Sequence, residues 1–167
     1  REVFVNGEVW FHIESNQKIP FVVHNPYYNV NVTGTKFNVK AYEGDEEVTT
    51  TLEEGQVKIG GISGCNLRKD IKLTQGEQLV FSKKTKKIKK HHVNTILYTS
   101  WKDGILIFVN HKLGKLIELL ERKYGVEIEV QDEKLLDLHF DGTFKDESMI
   151  DILEILRKAI DVDYQII

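Results

Sequence analysis

Val32-Thr33-Gly34-Thr35-Lys36-Phe37-Asn38-Val39-Lys40-Ala41-Tyr42 alternates apolar and polar residues from Phe37 onward, with one glycine ahead of the alternation. An extended chain turns successive side chains to opposite faces, so this run reads as a strand with one buried and one polar face. The same grammar extends outward in both directions. Val30-Asn31-Val32, Val57-Lys58-Ile59 and Ile71-Lys72-Leu73 alternate in the same way. Breaks fall at Asn6-Gly7, Gly34, Gly44, Glu54-Gly55, Gly60-Gly61, Gly64 and Gly76. Short strands joined by glycine turns predict an antiparallel all-β domain over residues 1–93, either a sandwich or a rolled sheet.

The pattern changes after a linker at 94–104, and residues 105–167 read as a small α+β domain. Ile105-Leu106-Ile107-Phe108 is a predicted strand, and Leu113, Leu116, Ile117, Leu119, Leu120 and Tyr124 have helical spacing. Gly125 ends that helix, and Val126-Glu127-Ile128-Glu129-Val130 reads as a further strand. A shift of 36 residues repeats the pattern, carrying Phe108 onto Phe144, Asn110 onto Asp146, Leu116 onto Ile152, Leu120 onto Leu156 and Val130 onto Ile166. Asn110 or a near neighbour is the expected N-cap of the first helix and Asp146 that of the second, and residues 162–166 are the expected closing strand. The fold expected is therefore mainly β plus α+β, an all-β domain followed by a small duplicated β-α-β domain.

Bulk properties narrow the function. The 167 residues are 41% hydrophobic and 29% charged, a globular composition. The net charge of −3 is uneven. Residues 1–93 hold 14 Lys/Arg against 11 Asp/Glu, and residues 94–167 hold 9 against 15, so the halves differ in sign. Cys65 is the single cysteine, expected as a spectator thiol in a loop, which removes internal disulfides and cysteine zinc sites. No apolar run reaches the roughly 20 residues of a membrane helix. Because the chain opens at Arg1 in what reads as a strand, it is expected to be a piece of a longer protein.

Three stretches carry a family resemblance. Gly34-Thr35-Lys36-Phe37-Asn38-Val39 resembles the Gly-Thr-x-Phe-x-Val core of the FecR domain. Val48 to Val57 follows at the family's distance, and Leu73-Thr74-Gln75-Gly76-Glu77-Gln78 resembles its Leu-x-Pro-Gly-Glu-Gln, with Gln75 where proline is usual. Arg1 to Phe11 is similar to a mid-domain strand pair, which implies that the front of that domain is missing. The link Tyr98 to Gly104 and the duplicated unit after it resemble the C-terminal domain of FecR-like proteins of Bacteroidota, itself similar to the short secretin/TonB N-terminal domain.

The resemblance implies the periplasmic sensor part of an anti-sigma factor whose full-length form is anchored in the inner membrane by a single pass. Its implied partners are the N-terminal signalling domain of a TonB-dependent outer-membrane transporter and, through a cytoplasmic segment absent here, an extracytoplasmic-function (ECF) sigma factor. It implies no cofactor, no metal and no enzyme activity. Some FecR-like proteins do cleave themselves once at a Gly-Thr bond of this motif by an N-to-O acyl shift. Gly34 and Thr35 are the residues that match, the threonine hydroxyl attacking the preceding carbonyl. Strained glycine angles and an open carbonyl would suit that step.

For partner binding, strand addition at an exposed edge of the second domain is expected. The acids Glu127, Glu129, Asp132, Glu133 and Asp137 would then set charge selectivity. Lys83, Lys84, Lys86, Lys87, Lys89 and Lys90, followed by His91-His92, read as a solvated or edge-guarding hairpin and not as a nucleic-acid site. His12, His24, His111 and His139 show no metal-ligand spacing, and Asp137 with Asp141 reads as a solvated acidic face. Two other classes compete, a glycan-binding module and a secretin-like assembly module. The first needs an exposed aromatic cluster that Trp10 and Trp101 do not make in the sequence, and the second leaves the Gly-Thr motif unused.

Overall fold

The structure, a computed structural model, describes residues 1–16, 18–64 and 70–167; Cys65 lies outside the described residues. The chain divides into two compact units, Arg1–Thr99 and Ser100–Ile167.

The first unit contains strands β1 (Glu2–Phe4), β2 (Gly7–Ile13), β3 (Phe21–His24), β4 (Asn29–Val32) and β5 (Thr35–Ala41). β6 (Glu47–Glu54), β7 (Val57–Gly60), β8 (Ile71–Leu73), β9 (Glu77–Ser82), β10 (Ile88–His92) and the single-turn helix α1 (Ile96–Thr99) follow. They form two five-stranded sheets, ordered β1-β3-β4-β7-β8 and β10-β9-β6-β5-β2. The pair β1–β3 is parallel and the other ladders are antiparallel. Val23, Val30, Ile59 and Leu73 from one sheet pack with Phe37, Val39, Leu52, Leu79 and Phe81 from the other in one core. The unit is thus a sandwich, and of the two sheet architectures expected the rolled form is not the one adopted. Each fully buried Val, Leu or Phe there contributes about 1.5–3 kcal/mol of transfer free energy. Tyr28 crosses the core to place its hydroxyl 3.0 Å from Thr50 Oγ1, and burial pushes that phenol up from its ordinary pKa, so it stays a neutral partner.

The turn before β9 shows what the Leu73-to-Gln78 motif does. Gly76 takes φ 81°, which glycine tolerates without cost, and Glu77 folds back to accept from the Thr74 amide at 2.7 Å. Lys90 on the paired strand β10 adds an ion pair at 2.9 Å. The Thr74 amide first, then Lys90, hold the Glu77 carboxyl at a pKa of about 2, below its ordinary 4.5. A depressed carboxylate stabilises the fold above its unfolded pKa and loses that contribution as pH falls through the folded value. Glu77→Gln is therefore expected to lower stability by about 1–2 kcal/mol at neutral pH. It should also flatten the acid limb of the stability curve between about 4.5 and 2. Urea midpoints measured across that range check both effects.

The second unit begins with a 3-10 turn, Ser100–Asp103, so the residues expected as a linker are folded. β11 (Ile105–Lys112), α2 (Leu113–Tyr124), a 3-10 turn at Glu133–Asp137, β12 (His139–Lys145) and α3 (Met149–Ile160) follow. β11 and β12 pair antiparallel in a two-stranded sheet. Leu106, Phe108, Phe140 and Phe144 pack from the sheet against Leu113, Leu116, Leu120, Ile152 and Leu156 from the helices. The 36-residue repeat is visible in the backbone: α2 and α3 have 12 residues each, and their bounds are that shift apart.

Three expectations are corrected. Asn110 and Asp146 do not cap helices; both take left-handed φ, 50° and 61°, Asn110 at a bulge in β11 and Asp146 just after β12. Asn and Asp visit that region more readily than other side chains, so the repeat keeps a bend where a cap was expected. The α3 cap is Ser148, in a capping box with Asp151, while Lys112 precedes α2 without a side-chain cap. Second, residues 126–130 form no strand. The Ile128 amide donates to Glu121 Oε1 at 2.8 Å, so a side chain takes the donor that a ladder would need. Ile128 packs on the core, which accounts for the alternation without pairing. Third, residues 162–166 follow the left-handed C-cap Asp161 and form no strand, with the Tyr164 hydroxyl donating to Glu154 at 2.8 Å. The duplicated unit is accordingly two strand–helix halves whose closing segments stand outside the sheet. Among the described residues, no helix is long and apolar enough to cross a membrane.

Candidate functional site

Gly34 and Thr35 lie at the entry to β5, where two stretches of backbone meet. A Cβ on Gly34 would stand 2.7 Å from Ser15 Cα and 2.8 Å from Ser15 Cβ. Gly55, at φ 94°, lies on another side, and a Cβ there would stand 2.5 Å from the Gly34 carbonyl oxygen. Gly34 is needed for close approach and not for a positive φ, and Gly55 closes over its carbonyl. Thr35 is buried, and its hydroxyl donates to the Gln56 carbonyl at 2.9 Å. A carbonyl accepts a hydrogen bond but does not take the proton that an attacking threonine oxygen must lose. The motif thus builds a tight crossing between β5 and the β6–β7 turn.

The acidic residues of the second unit fall into two groups. Asp132 caps the 3-10 turn by accepting from the Lys134 amide at 3.0 Å. Asp137 pairs with Lys112 at 2.7 Å, and that ammonium holds its carboxyl below the usual carboxylate range. These two serve local structure. Glu127, Glu129 and Glu133 are exposed, and two of them alternate with Val126, Ile128 and Val130 along the unpaired segment. Asp141 accepts from the Asn110 amide at 2.9 Å and so supports the β11 bulge.

The basic hairpin does more than face solvent. Lys83 donates to the Tyr42 and Glu43 carbonyls at 2.6 and 2.9 Å, with its ammonium 5.0 Å from the centre of the Tyr27 ring. Lys90 holds Glu77 from the edge strand β10. Position along a charged run gives no sign of which lysine is tied down. Trp10 stands half-buried on edge strand β2, with its indole N–H donating to Glu53 at 2.8 Å. Sequence reading also missed that Asn38, Thr51 and Gln78 are buried. All three occupy the polar phase of the alternation, which by itself predicts a solvated face.

The sequence profile described as "FecR protein" matches residues 1–58, and that described as "FecR, C-terminal" matches residues 105–167. No curated protein matches the chain. It is similar to a crystal structure, at 1.65 Å resolution, of a candidate anti-sigma factor from Parabacteroides distasonis. The TM-score is 0.83 at 26% identity, over 99% of this chain and 76% of that one. A second crystal structure of a candidate anti-sigma factor from the same organism, at 2.50 Å, matches with TM-score 0.81 and 27% identity, over 99% and 75%. The two profile matches do not overlap, together cover well over half of the residues and fall on the two units in the family's order. The chain belongs to the FecR family of anti-sigma regulators.

Proposed function

We propose that this chain is the periplasmic sensor of a membrane-anchored anti-sigma factor, relaying the state of a TonB-dependent outer-membrane transporter to an ECF sigma factor. In this reading the second unit, akin to the short secretin/TonB N-terminal domain, receives the transporter's N-terminal signalling domain. The observation that carries it is the segment Val126–Val130, outside the two-stranded sheet, with carboxylates exposed along it. A segment outside the ladder can accept a partner strand, whose backbone pairing gives affinity while the side chains set selectivity, with the Ile128 amide given up by Glu121 for that pairing. Glu127, Glu129 and Glu133 would speed association with a basic partner. Changing all three to lysine is expected to weaken binding about ten-fold at low salt, chiefly through a slower on-rate, and to leave the fold intact because the side chains are exposed. Unchanged affinity would remove the acidic segment from the docking surface.

We further propose that the Gly34-Thr35 bond is structural and that this chain is not an enzyme. The hydroxyl engaged by Gln56 and the carbonyl covered by Gly55 support that reading. Purified chain is expected to show one intact mass near 19.4 kDa. Two fragments split after Gly34 would contradict it.

A further inference from the structure

The strand β10 ends the β10-β9-β6-β5-β2 sheet, so among the described residues one side of its backbone faces no neighbouring strand. It reads Ile88-Lys89-Lys90-His91-His92, and the turn leading into it adds Lys84, Lys86 and Lys87. Lys90 is committed to Glu77 at 2.9 Å, and the Lys86 ammonium lies 5.8 Å from the centres of the Tyr27 and Phe81 rings. Lys84, Lys87 and Lys89 are exposed, and among the described residues their ammonium groups meet no carboxylate.

The opposite charge stands on the second unit. Glu127, Glu129 and Glu133 are exposed too, and among the described residues their carboxylates meet no cation. Residues 94–99 hold no charged side chain, so the sign difference between the two halves of the sequence is one between the two units, the first net basic and the second net acidic. Spacing fits as well as sign. Lys89 and His91 stand opposite Val80 and Gln78 and share one face of β10. Glu127 and Glu129 are also two residues apart, so in a strand laid beside β10 they share a face and come within reach of that pair. Opposite charges across a strand pair stabilise it and like charges oppose it. The lysines thus repel a second β10 edge while admitting an acidic strand.

We propose that the β10 edge of one molecule takes up the acidic segment Val126–Val130 of a second copy by strand addition, with the Ile128 amide leaving Glu121 for the new ladder. Each copy offers one edge and one segment, so the contact is heterologous and joins copies head to tail. It also occupies the segment to which the sensor reading assigns the transporter's signalling domain. The regulatory consequence rests on that reading: the assembled form is the resting one, and the transporter domain displaces the neighbouring copy by competition.

Sedimentation equilibrium of the whole chain, without any transporter domain, tests the contact itself. At low salt the apparent mass is expected to rise with concentration above the 19.4 kDa of one chain, and to return to it as salt screens the charges. Lys84→Glu with Lys87→Glu and Lys89→Glu is expected to abolish the rise. Glu127→Lys with Glu129→Lys and Glu133→Lys is expected to do the same. Mixing the two triple variants brings opposite charges together again at every contact between alternating copies, so association is expected to return. A one-chain mass at every concentration and salt would overturn the proposal. So would folded triple variants that each associate like the parent, or that stay apart when mixed. Transporter binding is read separately, so loss of self-association leaves the sensor reading standing and loss of transporter binding leaves the contact standing.

Discussion

Gly55→Ala is expected to cost the sandwich about 4 kcal/mol, enough to leave the first unit marginal at 25 °C. Two separate costs add. The residue has φ 94°, a backbone conformation that a side chain strains. The new Cβ would also stand 2.5 Å from the Gly34 carbonyl oxygen and 3.2 Å from Thr35 Cα, both backbone atoms that no rotamer change can move aside. Gly34→Ala meets only the second kind of cost, against Ser15 Cα at 2.7 Å, and is expected to lose about 3 kcal/mol. Because the two glycines share one crossing, the double variant is expected to fall short of the sum. Urea unfolding followed by tryptophan fluorescence, with Trp10 on β2 as the reporter, gives both numbers. A loss below about 1 kcal/mol for Gly55→Ala would mean that the crossing is looser than described.

Leu120→Ala is expected to unfold the second unit while the sandwich stays folded. Leu120 is fully buried among nine buried residues that share none with the core of the first unit. Truncating such a leucine costs about 2–5 kcal/mol. A core this small supplies only about 3–5 kcal/mol of net stability, so one truncation consumes most of it. Residue-resolved hydrogen exchange should show α2 and α3 unprotected while the ladders of β5 and β6 keep their protection. Loss of protection in both units together would show that their stabilities are coupled.

The fold was largely legible because both units obey simple periodicities. Phe37, Val39 and Ala41 point inward from β5 as their alternation requires, and Leu116, Leu120, Ile152 and Leu156 line the helix core as their spacing requires. What failed was the step from local pattern to long-range pairing. Val126 to Val130 alternates because Ile128 packs on the core, yet the Ile128 amide goes to Glu121 and not to a neighbouring strand. Asn110 and Asp146 carried a real structural signal, since residues of this kind suit both N-caps and left-handed bends, and spacing does not separate the two uses. The candidate site was legible only in outline. Gly34-Thr35 stood out by motif, but its role depends on Ser15, Gly55 and Gln56, which only the folded chain brings to it. Of the five acids, Asp132 and Asp137 have local structural partners that sequence alone does not reveal.

The sensor reading is tested most directly by titrating the chain with the isolated N-terminal signalling domain of the TonB-dependent transporter encoded beside its gene. The titration is then repeated with residues 94–167 alone. Binding at micromolar affinity or tighter, retained by the shorter piece, is the result expected if the second unit receives the transporter. No binding by either piece, with both shown to be folded by circular dichroism, would contradict it.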